Sequence, residues 1–479
     1  LVFFLLVLSL AFKAFTTYFQ LRFILMREYS ISKRLIETYL QQPYIWFLNR
    51  HSSNLGKNIL SEVNLVIAAT LASLLRLIAA SAVSIALITL LILTDPVLAI
   101  VTGVTLGASY GIIFKFLHSY LARIGKERVE SNELRFKAVN EAFSAVKEVK
   151  VGSLEQTYIK KFSAPGEIFA RTQASSQAVN QLPRFALEAI AFGGIMLVIL
   201  YLMRQSGSFA SALPIVSLYV FSGYRLMPAL QQIYASYTSL AFVNPALDKL
   251  YEDIKSLQSI NFIEDKDILS FNKSISLKNI YYNYPNSSRT ALKNINMNIP
   301  AKNTIGLVGV TGCGKTTTVD IILGLLEAQK GTLEVDGQVI SKKNIKSWQR
   351  SIGYVSQQIY LSDDTVASNI AFGVNKKKIN LDIVKKVSKI ANLHEFVMDE
   401  LPQQYQTPIG ERGVRLSGGQ RQRIGIARAL YNDPKVLILD EATNALDNET
   451  EEAVMDAVNK LSNKITIILI AHRLNTVKN

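Results

Sequence analysis

The run Gly309-Val310-Thr311-Gly312-Cys313-Gly314-Lys315-Thr316 follows the apolar stretch Thr304-Ile305-Gly306-Leu307-Val308 and precedes the helix-like Thr318-Val319-Asp320-Ile321-Ile322-Leu323. This order predicts a strand, a glycine-rich loop and a helix. Gly309, Gly312 and Gly314 let the backbone wrap closely and aim its N–H groups at phosphate oxygens, while the helix start adds positive potential. Lys315 would reach the β- and γ-phosphates and the Thr316 hydroxyl would ligate Mg²⁺, with Thr317 beside it. A nucleoside triphosphate is the ligand this loop predicts.

Composition divides the chain. Its 479 residues exceed one ordinary domain, and 49% apolar with 19% charged residues and a mean hydropathy of +0.21 is too apolar for a wholly soluble protein. One half therefore belongs in a membrane. The net charge of +15 need not mean nucleic acid, because Leu1 to Leu257 hold 24 Lys/Arg against 15 Asp/Glu, mostly between apolar segments. Basic loops beside membrane spans account for that balance without a nucleic-acid partner. The single cysteine, Cys313, excludes internal disulfides, and its place in the phosphate loop predicts a reducing cytosol.

Five spans are expected: Leu1 to about Ile24, Leu65 to Leu93, Val97 to Leu117, Phe185 to Met203 and Phe209 to Leu230. Arg22, Arg27, Lys33 and Arg34 put the end of the first in the cytoplasm. Short turns at Thr94-Asp95-Pro96 and Arg204 to Ser208 join spans on the outside, and Pro214 and Pro228 are candidate kinks. After the third span, Arg123, Lys126, Arg128, Arg135 and Lys137 interleave with Glu127, Glu130, Glu133 and Glu141, which predicts a solvated helix running well beyond the bilayer. The aromatic stretch Tyr39 to Leu48 is either an interfacial anchor or a short helix packed on a partner domain.

The expected domains are therefore 1–257, an all-α transmembrane bundle with long cytoplasmic extensions, a linker at 258–273, and 274–479. In the last, short β-branched runs alternate with amphipathic helices, as in an α/β domain with a mostly parallel sheet. Leu416-Ser417-Gly418-Gly419-Gln420 opens a second glycine-bearing helix, another place where N–H groups meet phosphate. Val436-Leu437-Ile438-Leu439-Asp440-Glu441 reads as a buried strand ending in two carboxylates, Asp440 for Mg²⁺ and Glu441 to polarise the attacking water.

In this order the motifs resemble the nucleotide-binding domain of an ABC transporter. The resemblance implies that Tyr284 stacks on adenine, that Gln357 senses Mg²⁺ and the membrane domain, and that His472 contacts the γ-phosphate. It also implies that Gly410-Glu411-Arg412-Gly413 touches the membrane domain's coupling helices and that Asn444-Ala445-Leu446-Asp447, with Asp447, forms a dimer loop. Two such domains sandwich two ATPs, each between one phosphate loop and the other copy's Leu416 to Gln420 segment, so a homodimer is implied. The first half resembles the exporter-type permease, where six spans are usual. With five spans, an apolar start without a basic leader, and an end at Arg473 to Asn479 where the family continues, the chain is expected to be a fragment at both ends.

Within that class, Gln42-Pro43-Tyr44, Val146 to Lys150, Leu182-Pro183-Arg184, Tyr224 to Pro228 and Ile359 to Thr365 most resemble the lipid-linked oligosaccharide flippases. The implied cargo is an amphipathic lipid taken from the inner leaflet, in a bacterial inner membrane with the ATP-binding domain in the cytoplasm. Peptide, lipid and drug exporters share the architecture. A soluble ABC ATPase is disfavoured by the fused spans, and an ATP-gated channel or regulator by the match of Glu441 and His472 to a hydrolysing site. Arg76, Glu188 and Arg225 are charges inside the spans, roughly 25, 22 and 24 Å from their outer ends at about 1.5 Å per residue, near the cytoplasmic side. Either the arginines snorkel or pair with Glu188, or these residues bind the pyrophosphate of a lipid-linked sugar.

Overall fold

The structure is a computed structural model that describes residues 2–94, 96–206, 209–257, 269–285, 287, 289–410, 413–441, 451–452, 455–456, 461 and 464–470. Its contacts form two units, Leu1–Gln42 with Trp46–Ile260, and Asn261–Asn479 with Pro43–Ile45.

The first unit is helical: α1 (Val2–Leu40), α2 (Tyr44–Leu48), α3 (Ser52–Lys57), a π-helical turn (Asn58–Glu62), α4 (Val63–Thr94), α5 (Pro96–Ser144), α6 (Val146–Val151), α7 (Glu155–Ser206) and α8 (Phe209–Lys255). Each expected span lies in one of the five long helices. Pro96 opens α5, where its missing N–H costs nothing. Helix α8 continues through Pro214 and Pro228 without a break. The 49 residues of α5 measure about 70 Å, more than twice a bilayer core, so the long helices continue far beyond the membrane. Among the described residues, Phe3–Leu40 and Ser52–Thr94 are long and apolar enough to cross a membrane.

The unit's apolar core includes Leu35 and Tyr39 of α1, Val63 and Val66 of α4, Leu121 and Ile124 of α5, and Phe242 and Leu250 of α8. By contrast Phe3, Phe4 and Phe12 on α1 are exposed, a surface suited to lipid. Gly125 sets how closely α5 and α8 approach: a Cβ there would stand 2.3 Å from the Phe242 carbonyl oxygen. The charged stretch of α5 is not wholly solvated, contrary to the sequence expectation. Arg128 is buried and donates to Glu62 at 2.6 Å, while Asn132 donates to the same carboxylate at 2.7 Å. Lys57, also buried, stands 3.5 Å from Glu133, which Lys249 reaches at 2.6 Å. Periodicity counts charges but cannot tell which of them face a neighbouring helix.

Among its described residues the second unit has two sheets. The antiparallel one has the order β2-β1-β4-β5, from β1 (Ser274–Tyr282), β2 (Leu292–Pro300), β4 (Lys330–Val335) and β5 (Gln338–Val339). The other is parallel with order β3-β8-β7-β6, from β3 (Thr304–Leu307), β6 (Ile352–Val355), β7 (Val436–Asp440) and β8 (Thr466–Ile470). The parallel sheet fits the expectation; the equally large antiparallel sheet corrects "mostly parallel", because short β-branched runs do not reveal strand direction. β7 and β8 are buried at every residue, as strands covered on both faces are. The helices are α9 (Lys315–Ile322), α10 (Ile345–Gln349), α11 (Val366–Ile370), α12 (Leu381–Ile390), α13 (His394–Asp399) and α14 (Gly418–Leu430). Ile45 groups with this unit and packs on its core.

Candidate active site

Parallel strands end on one edge of their sheet, and loops leaving that edge converge. The phosphate loop leaves β3, Gln357 follows β6 by two residues, and Asp440 and Glu441 end and follow β7. The topology thereby gathers residues from three distant stretches of sequence.

The loop turns into α9 at Gly314, whose φ of 98° lies in the left-handed region, and a Cβ there would meet the Ala291 carbonyl oxygen at 2.9 Å. As the helix N-cap is a glycine, no side chain caps α9, and its leading N–H groups point out of the helix end, as an anion site requires. Lys315 donates from Nζ to the carbonyls of Gly309 at 2.8 Å and Val310 at 3.3 Å, which holds the ammonium across the loop mouth. A cation so placed, beside uncapped amides, fits a polyphosphate. Thr316 is exposed, whereas Thr317 is buried and lies 3.2 Å from the Tyr284 hydroxyl. The Tyr284 ring is half-buried and meets Tyr282 edge-on at 5.1 Å. Cys313 is exposed, and a Cβ on Gly309 would stand 2.7 Å from its sulfur, so the thiol lies against the loop.

At the strand ends, Gln357 donates from Nε2 to Glu441 Oε2 at 2.7 Å. Asp440 is buried and accepts a hydrogen bond from the Tyr354 hydroxyl at 3.4 Å. Nearby Asp320, on α9, has its carboxyl pushed up to about 6 by burial and by the Asp440 carboxylate. Thr316, Gln357 and Asp440 offer oxygens of the hard kind that Mg²⁺ prefers. Sequence reasoning missed Tyr354 and Asp320, because a tyrosine within a strand and an aspartate within a helix carry no motif of their own.

Ser417 caps α14 with a reciprocal capping box: its hydroxyl accepts from the Gln420 N–H at 3.1 Å, and the Gln420 side chain accepts from the Ser417 N–H at 2.8 Å. Gly418 and Gly419 form the first turn, and Ser417 is exposed. Among the described residues this segment makes no hydrogen bond to the phosphate loop. Asp447, His472 and the pair Glu411-Arg412 lie outside the described residues, as does the side chain of Glu188. Arg76 and Arg225 stand on α4 and α8 with exposed side chains, and among the described residues neither makes an ion pair.

Comparison with known proteins agrees with this geometry. Residues 292–444 match the ABC transporter family model, and residues 1–235 match the ABC transporter transmembrane region. A protein of Methylococcus capsulatus named ATP-dependent lipid A-core flippase is 30% identical over 455 residues, 94% of this chain and 74% of that protein. A protein of Arabidopsis thaliana named ABC transporter B family member 29, chloroplastic, is 31% identical over 430 residues, 89% of this chain and 67% of its own length. In the solved structure of a bacterial Atm1-family ABC exporter with ATP bound, the fold is the same at a TM-score of 0.82 and 22% identity, over 96% of this chain and 80% of that one. The chain belongs to the ABC transporters: it is an integral membrane exporter in which a helical membrane domain is fused to an ATP-binding domain and ATP hydrolysis is coupled to transport.

Proposed function

We propose that two copies of this chain form an ATP-driven flippase that moves a lipid-linked oligosaccharide, or a related phosphate-bearing lipid, out of the inner leaflet of a bacterial inner membrane. The observation that carries the cargo is the pair Arg76 and Arg225. They stand at similar depth on α4 and α8, which pack against each other, exposed and without an acidic partner among the described residues. Cations kept inside apolar spans mark a pathway, and two guanidiniums suit a pyrophosphate. Relatives named lipid A-core flippases support the lipid class.

In the ATP site, Lys315 and the amides of the α9 start hold the phosphates, Tyr284 stacks on adenine, and Glu441 orients water for attack on the γ-phosphate. Thr316, Gln357 and Asp440 would hold Mg²⁺, which when bound neutralises charge on the β- and γ-phosphates. Ser417 to Gln420 serve the ATP held by the second copy, with Asp447 and His472 completing the paired site. The Ser417 segment, capped and exposed in one chain, supports this need for a partner.

The test uses the protein in lipid vesicles, with ATPase measured against lipid-linked sugars, peptides and drugs. Stimulation by a lipid pyrophosphate that falls to the unstimulated rate when Arg76 and Arg225 are both changed to Ala is expected. Stimulation that survives the double change would assign these arginines to the membrane interface, and stimulation only by peptides or drugs would replace the cargo.

A further inference from the structure

Asp440 ends β7 and is buried, with only 5% of its surface exposed. A buried carboxylate needs a donor, more so with Asp320 nearby, because two carboxylates repel each other. One donor is the hydroxyl of Tyr354, which reaches Asp440 Oδ2 at 3.4 Å. Strand register explains the pairing. Tyr354 lies opposite Ile438 in the parallel pair β6·β7, and Ile438 and Asp440, two residues apart, share a face of the sheet. Tyr354 therefore points to the face that bears Asp440, and the length of the phenol spans the remaining distance.

We propose that Tyr354 is a positioning residue for the divalent cation of the ATP site: its hydroxyl holds the Asp440 carboxylate in one orientation before the cation arrives. Outer partners of metal-binding carboxylates act in this way, fixing the ligand against rotation and repulsion. The inference rests on the Mg-ATP reading above. Tyr354 itself does not touch ATP in this account, so removing its hydroxyl alters cation affinity and leaves cation-free nucleotide binding as it was.

The experiment titrates binding of a fluorescent ATP analogue to the full chain in lipid nanodiscs, first in EDTA and then across a Mg²⁺ series, for the unchanged protein and for Tyr354→Phe. The Mg²⁺ concentration at half effect should rise about 10-fold in Tyr354→Phe, the lower end of the range for outer-shell partners. Affinity in EDTA should stay the same, and saturating Mg²⁺ should restore the full response. An unshifted Mg²⁺ midpoint would overturn the proposal while leaving the Mg-ATP reading in place. Equal loss of affinity in EDTA and in Mg²⁺ would overturn it too, by making Tyr354 a structural residue. An unchanged protein whose binding ignores Mg²⁺ would overturn the Mg-ATP reading and this inference together.

Discussion

Gln357 donates from Nε2 to Oε2 of Glu441 at 2.7 Å, although 84 residues of chain separate them. They meet because each stands just past the C-terminal end of one of two neighbouring parallel strands, β6 and β7. Glu441 itself sits at φ 50°, a left-handed conformation uncommon for a side chain of this size, and its N–H is held by the Ile470 carbonyl at 3.2 Å. The candidate base is thus fixed by its backbone through β8 and by its side chain through Gln357. Displacing Gln357 would release the carboxylate.

Replacing Glu441 with Gln keeps the shape and removes the base that orients water. ATP should still bind, while turnover falls by roughly 10²-fold or more. Single-turnover hydrolysis together with nucleotide binding checks this, and near-normal hydrolysis by Glu441→Gln would remove Glu441 from the chemistry.

Cys313 is the chain's only cysteine, exposed in the phosphate loop with its sulfur against Gly309. A maleimide adduct there would occupy the space that the phosphates need. Alkylation should inactivate the ATPase, saturating Mg-ATP should protect it, and Cys313→Ser should remain active but insensitive. Labelling at one rate with and without Mg-ATP would show that sulfur and nucleotide do not share space.

Arg128 and Glu62 are 2% and 5% exposed in their side chains and 2.6 Å apart. Deleting one partner strands a buried charge, so Arg128→Leu should cost about 3–5 kcal/mol of stability. The double change Arg128→Leu with Glu62→Gln should cost less, because no unpaired charge remains. Denaturant unfolding in detergent compares the two; a double change as costly as the sum of both single changes would mean that the pair acts through packing alone.

The family, and the local pieces of the candidate ATP site, were legible in the sequence because each piece is local. Glycines at Gly309, Gly312 and Gly314, the Lys315 ammonium and the Ser417-to-Gln420 cap each act within one turn of chain, and a turn's chemistry is fixed by its own residues. The spans were legible for a similar reason: apolar runs of membrane length need no partner to be recognised. Tertiary structure alone decided which of those pieces meet. Tyr354 found Asp440 through strand register, Asp320 came within reach of the same carboxylate, and Arg128 was taken from an apparently solvated helix into a buried pair with Glu62, 66 residues away. These contacts depend on sheet order, strand direction and helix facing, which arise from long-range burial and leave no periodic mark in the residues that make them.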